Sequence, residues 1–161
     1  MKKLLGSFVF VMVILIFAVN VTYASGSEIK VQGDPFDGTF TGTVTGDRDS
    51  EAEVTVVLDH NGNLVEGEMN LGEGLYVDGG LCWHGYLPEG VFSAIGNTLP
   101  SEPSRVQGKY SYEVNKVMIN GYLDAELSPD GKNLEAEVKI DLPWFCGKDP
   151  VLQLKAEKMM E

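Results

Sequence analysis

Histidine and cysteine are scarce in this 161-residue chain, with two of each. A structural zinc site asks for four nitrogen or sulfur ligands, so His84 with both sulfurs falls short and no metal is expected. Also missing are a G-x-S-x-G elbow, a phosphate-cradling glycine loop, a dinucleotide fingerprint and a metalloprotease helix motif. Without any of these, no catalytic residue and no cofactor is assigned, and a chain without enzymatic activity is expected. Cations are few: 12 Lys and Arg stand against 24 Asp and Glu. That balance repels nucleic acid and anionic lipid surfaces. Beyond the N-terminal apolar run, no segment holds a helical period.

What is present begins with an export signal. Residues 1–24 run from a basic tip, Lys2 and Lys3, through a long apolar stretch to Ala24, with Thr22 two positions before it. That order reads as a secretory signal peptide cut after Ala24. The apolar stretch is also about the length that spans a bilayer, so an uncleaved anchor is the competing reading. Apart from this segment no membrane association is expected, and the protein is expected to be exported, periplasmic or extracellular. Cleavage would remove two lysines and no acid, leaving 10 basic residues against 24 acidic ones, a net charge of −14. The acids alternate with apolar residues, as on a solvated face. The remaining 137 residues suit one domain, a flexible segment at 25–35 followed by a folded part at 36–158. In an oxidising compartment Cys82 and Cys146 are expected to form a disulfide. Closing a loop of about 65 residues stabilises a fold by roughly 4 kcal/mol in the chain-entropy model.

Apolar and polar residues alternate through nearly all of that folded part. In 39–45, Phe40, Gly42 and Val44 share one face and four threonines the other. The same period of two runs through Ala52, Val54, Val56 and Leu58, and through Val65, Gly67, Met69 and Leu71. It continues in Val106, Gly108, Tyr110, Tyr112 and Val114, then in Val117, Ile119, Gly121, Leu123, Ala125 and Leu127. Leu134, Ala136, Val138 and Ile140 follow, then Leu152, Leu154 and Ala156. This is the pattern of half-buried strands, and short candidates at 75–77 and 91–95 bring the number to about nine. The connections DRDS, DHNGN, VNKV and SPDGKN are short and carry turn residues, so sequence neighbours pair antiparallel in a meander. Glycine falls on the apolar face of four strands, at 42, 67, 108 and 121. Mid-strand glycine permits the sharp coiling that a closed barrel needs. The expected fold is all-β: a single-domain antiparallel meander of about 8–9 strands closed into a small calycin-like barrel, with a β-sandwich as the alternative.

The opening Gly38-Thr39-Phe40, a strand, and a turn carrying N-G-N-L resembles the start of lipocalin- and avidin-type barrels. Phe40 stands where those families usually carry tryptophan, and none of their ligand-contacting residues has a counterpart on this chain, so no function is carried over. There is also an internal echo. VVLDHNGNLVEGEMNL and AELSPDGKNLEAEVKI each read as strand, turn and strand, and each leads to a cysteine beside tryptophan.

Function is then sought in the loops. Residues 79–104, GGLCWHGYLPEGVFSAIGNTLPSEPS, form the longest irregular stretch, interrupted only by the strand at 91–95. Long connections of this kind often serve as binding loops or lids. The disulfide would staple this one to Trp144 and Phe145. Trp83, His84, Tyr86, Trp144 and Phe145 are then the expected ligand-contacting residues, a platform at the barrel mouth for a small apolar or aromatic ligand. The competing arrangement packs the same rings as a plug around the disulfide. Two other roles stand beside ligand binding: a structural or interaction protein of the cell envelope, and a hydrolase with an unrecognised site at His60, in a turn tip, or His84. The stretch 59–70, DHNGNLVEGEMN, spaces its oxygens like a calcium loop, but the sixth and twelfth places hold Leu64 and Asn70 instead of glycine and glutamate. A hairpin with Asn61-Gly62 at its corner accounts for the same residues, and the acidic loop 47–51 is the next calcium candidate.

Overall fold

The computed structural model describes residues 34–114 and 117–160, with the side chains of 112–119 outside the description. The expected signal segment and the flexible segment up to residue 33 lie outside the described residues. So do the turn at 115–116 and the inward placements of Tyr112, Val114, Val117 and Ile119.

The alternating segments become ten strands: β1 (Gly38–Thr45), β2 (Glu51–Asn61), β3 (Leu64–Leu71), β4 (Tyr76–Asp78), β5 (His84–Tyr86), β6 (Gly90–Leu99), β7 (Glu102–Val114), β8 (Val117–Leu127), β9 (Asn133–Asp141) and β10 (Val151–Lys158). Eight of them close into an antiparallel barrel in the order β1-β10-β9-β8-β7-β6-β3-β2, with β2 returning to β1. The short β4–β5 hairpin is set into the connection from β3 to β6. The fold is thus the expected barrel and not the sandwich. Phe40, Val44, Val54, Val65, Leu71, Val106, Leu127, Leu134, Leu152 and Leu154 are all buried inside, and the acids between them point out. Burying each such side chain is worth roughly 1.5–3 kcal/mol.

Closure depends on close strand crossings. A Cβ at Gly42 would strike the Lys155 carbonyl and lie 2.6 Å from Ala156 Cα, and one at Gly108 would lie 2.8 Å from Gly96 Cα. At Gly62 the φ of +69° falls on the first of two turn residues, with Asn61 paired to Leu64. That is the pattern of a type II′ hairpin, in which glycine takes the first corner.

Three strands depart from the alternation. The strand expected at 91–95 is ten residues long, because Val91 and Ile95 are apolar on the outer face while Ala94 and Gly96 are small on the inner one, which blurs the period. The strand β7 begins at Glu102 beside a register shift between Thr98 and Leu99, a bulge that admits Pro103. The irregular stretch 79–104 is therefore much shorter than it reads, and β5 within it is recognisable only by its pairing with β4.

The barrel has a turn end and a cap end. The β2–β3 and β8–β9 hairpins both turn at the first, so β3 and β9 both deliver the chain to the second. Cys82 and Cys146 follow those two strands, and the topology alone brings them to one end.

Candidate functional site

Three loops are stitched together at the cap end. In the 3-10 turn Asp47–Asp49, Arg48 and Asp49 adopt left-handed φ values of 59° and 54°. The Asp47 carboxylate accepts the Asp78 N–H at 2.8 Å and the Lys148 ammonium at 2.6 Å. Ser50 Oγ accepts the Tyr76 N–H at 2.8 Å, and the Arg48 guanidinium lies 4.1 Å from the centre of the Tyr76 ring. The 3-10 turn Trp144–Cys146 carries the other half of the clamp: Cys82 and Cys146 form a disulfide, and the Leu81 N–H donates to the Cys146 carbonyl at 3.0 Å. Asp149 accepts the Leu142 N–H and pairs with Lys139, each at 3.2 Å. Partial burial works against the Asp47 charge, but the hydrogen bonds from Lys148 and the Asp78 N–H, with the charges of Lys148 and Arg48, outweigh it and hold its carboxyl below the ordinary value. The acidic loop 47–51 thus spends its foremost carboxylate on this clamp.

Beneath the cap the barrel is hollow. A cavity of about 520 Å³ extends from Phe36 at the turn end to Trp83 and Phe145 at the cap. Its volume follows from cross-strand register: Gly67 pairs with Ala94, Gly96 with Gly108, and Ala125 with Ala136, so small residues meet small residues on the inner wall. Leu58 and Val106 lean over Gly67 and Gly96, yet the interior between the walls is left unfilled. The walls are aliphatic, and among the described residues that line the cavity there is no Asp, Glu, Lys, Arg or His. Two of its described lining residues carry hydroxyls: Ser93, exposed on β6, and Tyr110, whose ring lies against Gly121, its partner on β8. Burial, with the negative charge of Asp141, pushes the Tyr110 phenol well above the ordinary tyrosine value. Trp83, Pro88, Pro143 and Phe145 line the cavity and also reach solvent, which marks its opening at the cap.

No family model, no curated protein and no solved structure matches this chain. Its geometry is then the ground for reading the site.

Of the residues expected to contact a ligand, Trp83 and Phe145 line the cavity. His84, Tyr86 and Trp144 do not. His84 is exposed in β5, Tyr86 packs edge-on against Tyr76 at 5.3 Å on the outside of the cap, and Trp144 is 91% exposed with its ring edge-on to Phe145 at 6.1 Å. The alternation of a strand explains Tyr86, which leaves Gly85 and not an aromatic ring between it and His84. The residues that sequence reasoning missed are Phe36 at the floor and Leu75, Val77, Leu87, Leu142 and Pro143 under the cap. Their signal was present as apolar residues in loops or, for Leu75 and Val77, at a strand too short for its period to assign a face.

His60 is not in a turn tip. Since β2 runs on to Asn61, the inward series Val56, Leu58 continues to His60, which is buried with its ring edge-on to Phe36 at 5.6 Å. Its backbone N–H donates to Asp37 at 2.6 Å, while neither ring nitrogen has a hydrogen-bond partner among the described residues. His84 makes no side-chain hydrogen bond among them either. Neither histidine is placed as the base of a carboxylate–histidine–hydroxyl arrangement.

Proposed function

We propose that this barrel is a non-enzymatic, exported binding protein that takes a small apolar molecule into its interior through the opening beside Trp83 and Phe145. The observation that carries the reading is the cavity itself. Its 520 Å³ falls within the roughly 300–1,000 Å³ of ligand sites, and its wall is apolar apart from the hydroxyls of Tyr110 and Ser93. An empty apolar volume of this size forfeits packing contacts that a filled core would make, so an occupant would gain them. Export is supported by the disulfide, which persists in oxidising compartments. Among the described residues no helix is long and apolar enough to cross a membrane.

The alternative role, an interaction protein of the envelope, would use an outer apolar patch. Val57, Ile95 and Tyr122 are exposed on the outer face, but Glu68 pairs with Val57, Glu66 and Lys109 flank Ile95, and Lys109 separates it from Tyr122. Charges break that surface, whereas the interior is continuous.

Titration with a dye that fluoresces in apolar surroundings tests the proposal. One dye per barrel is expected, with binding abolished by Ala136→Phe, which fills the interior, and unchanged by Trp144→Ala on the outside of the cap. Equal binding to Ala136→Phe would place the dye elsewhere and refute the reading.

A further inference from the structure

We propose that the cavity selects uncharged ligands bearing one hydrogen-bonding group, and that Tyr110 is the residue that recognises that group. The inference rests on the interior being a binding site and names the chemical class it admits.

Charge is excluded first. The described lining residues include no charged partner for a buried ion, and an unpaired charge taken from water into such a wall costs several kcal/mol even after relaxation. A long-chain acid could escape that cost by leaving its head at the opening, but the described cations there are engaged. Lys148 is held by Asp47 and Asp78, Lys139 by Asp149, and Arg48 lies over Tyr76. Asp141, next in the chain to the lining residues Leu142 and Pro143, already acts on Tyr110 by its negative charge. A carboxylate head would meet repulsion and no described partner.

An entirely apolar ligand leaves Tyr110 unused. The missing side chain at Gly121 lets the Tyr110 ring lie flat against β8, since a Cβ there would strike ring carbons. The hydroxyl then reaches across to β9, where it donates to the Lys139 carbonyl at 3.4 Å. Hydroxyl donors sit closer to their acceptors, at about 2.7–2.8 Å, so this bond is weak and the proton is readily redirected. The oxygen keeps acceptor capacity as well. A ligand hydroxyl or amide can therefore donate to Tyr110, accept from it, or do both. Because the phenol keeps its proton across the physiological range, it offers a neutral partner at every working pH.

The test is displacement of the reporter dye at pH 8 by three molecules with the same chain: dodecanol, dodecanoate and dodecyltrimethylammonium, each below its micelle concentration. Dodecanol is expected to bind at least tenfold more tightly than either ion. Tyr110→Phe is expected to weaken dodecanol about fivefold, the worth of one neutral hydrogen bond, and to leave dodecane unchanged. Dodecanoate binding as tightly as dodecanol, or dodecanol indifferent to Tyr110→Phe, overturns the selectivity and leaves the interior site standing. A dye-binding barrel that releases its dye to none of the three overturns the selectivity too, and a barrel that binds neither dye nor any of the three overturns both.

Discussion

At the turn end of the barrel, Phe36 and His60 pack edge to face inside a ring of tight hairpins, and Lys158 lies over the Phe40 ring at 5.5 Å. At the cap end, three loops distant in sequence are tied by a disulfide and by Lys148 bridging Asp47 and Asp78. The first end is closed by local structure and buried aromatic rings. The second is closed by cross-links over a hollow, and its lining residues reach solvent. On the proposed reading, the cap end controls access while the turn end supplies the floor.

The largest expected effect comes from cutting the cap's covalent tie. Changing both Cys82 and Cys146 to serine should lower stability by about 4 kcal/mol, the loop-closure contribution, seen as a lowered denaturant midpoint. Amide exchange should rise in the cap loops and stay slow at the turn end. Exchange rising equally at both ends would erase the contrast between them.

Removing the floor is next. Phe36→Ala should cost about 3 kcal/mol, toward the low end for a buried phenylalanine because the cavity already adjoins it. The cavity should deepen toward His60, measured as tighter binding of longer chains. His60→Leu should act in the opposite direction, raising stability by about 1 kcal/mol, because it removes a buried imidazole with no described partner and keeps its volume apolar. A loss on that substitution would mean that His60 is satisfied in solution.

The smallest effect is a pH dependence at the cap. The Asp47 carboxyl lies below its ordinary value of 3.8 in the fold. Its pairing therefore stabilises the fold above that value and is lost as pH falls through the lower, folded one. Acid should loosen the cap as this pairing is lost, and Lys148→Met should flatten that dependence. Amide exchange in 72–89 between pH 5 and pH 2 reads it.

Much of the fold was legible because a strand's alternation is a local property. From Phe40 to Ala156 each described inward series can be read residue by residue. The strand β6 was legible only as 91–95 because Val91 and Ile95 mask its period. The disulfide was legible because only two cysteines exist. The cavity was not. An inward glycine or alanine does not reveal whether a large neighbour fills its place, and only the register that sets Gly67 against Ala94 and Gly96 against Gly108 decides it. The Asp47–Lys148 contact spans 101 residues and leaves no local pattern. Trp83 and Phe145, singled out by their nearness to the cysteines, line the cavity, while His84, Tyr86 and Trp144, singled out in the same way, stay outside it, because the side of a loop that a ring takes is set by packing and not by spacing.

The two tryptophans permit one direct measurement. In Trp144→Phe, Trp83 remains as the sole indole at the opening, and a brominated dodecanol should quench it to saturation at one molecule per barrel. In Trp83→Phe, the exposed Trp144 should stay bright over the same concentrations. Saturable quenching of Trp144, or none of Trp83, would contradict an interior site entered at the cap.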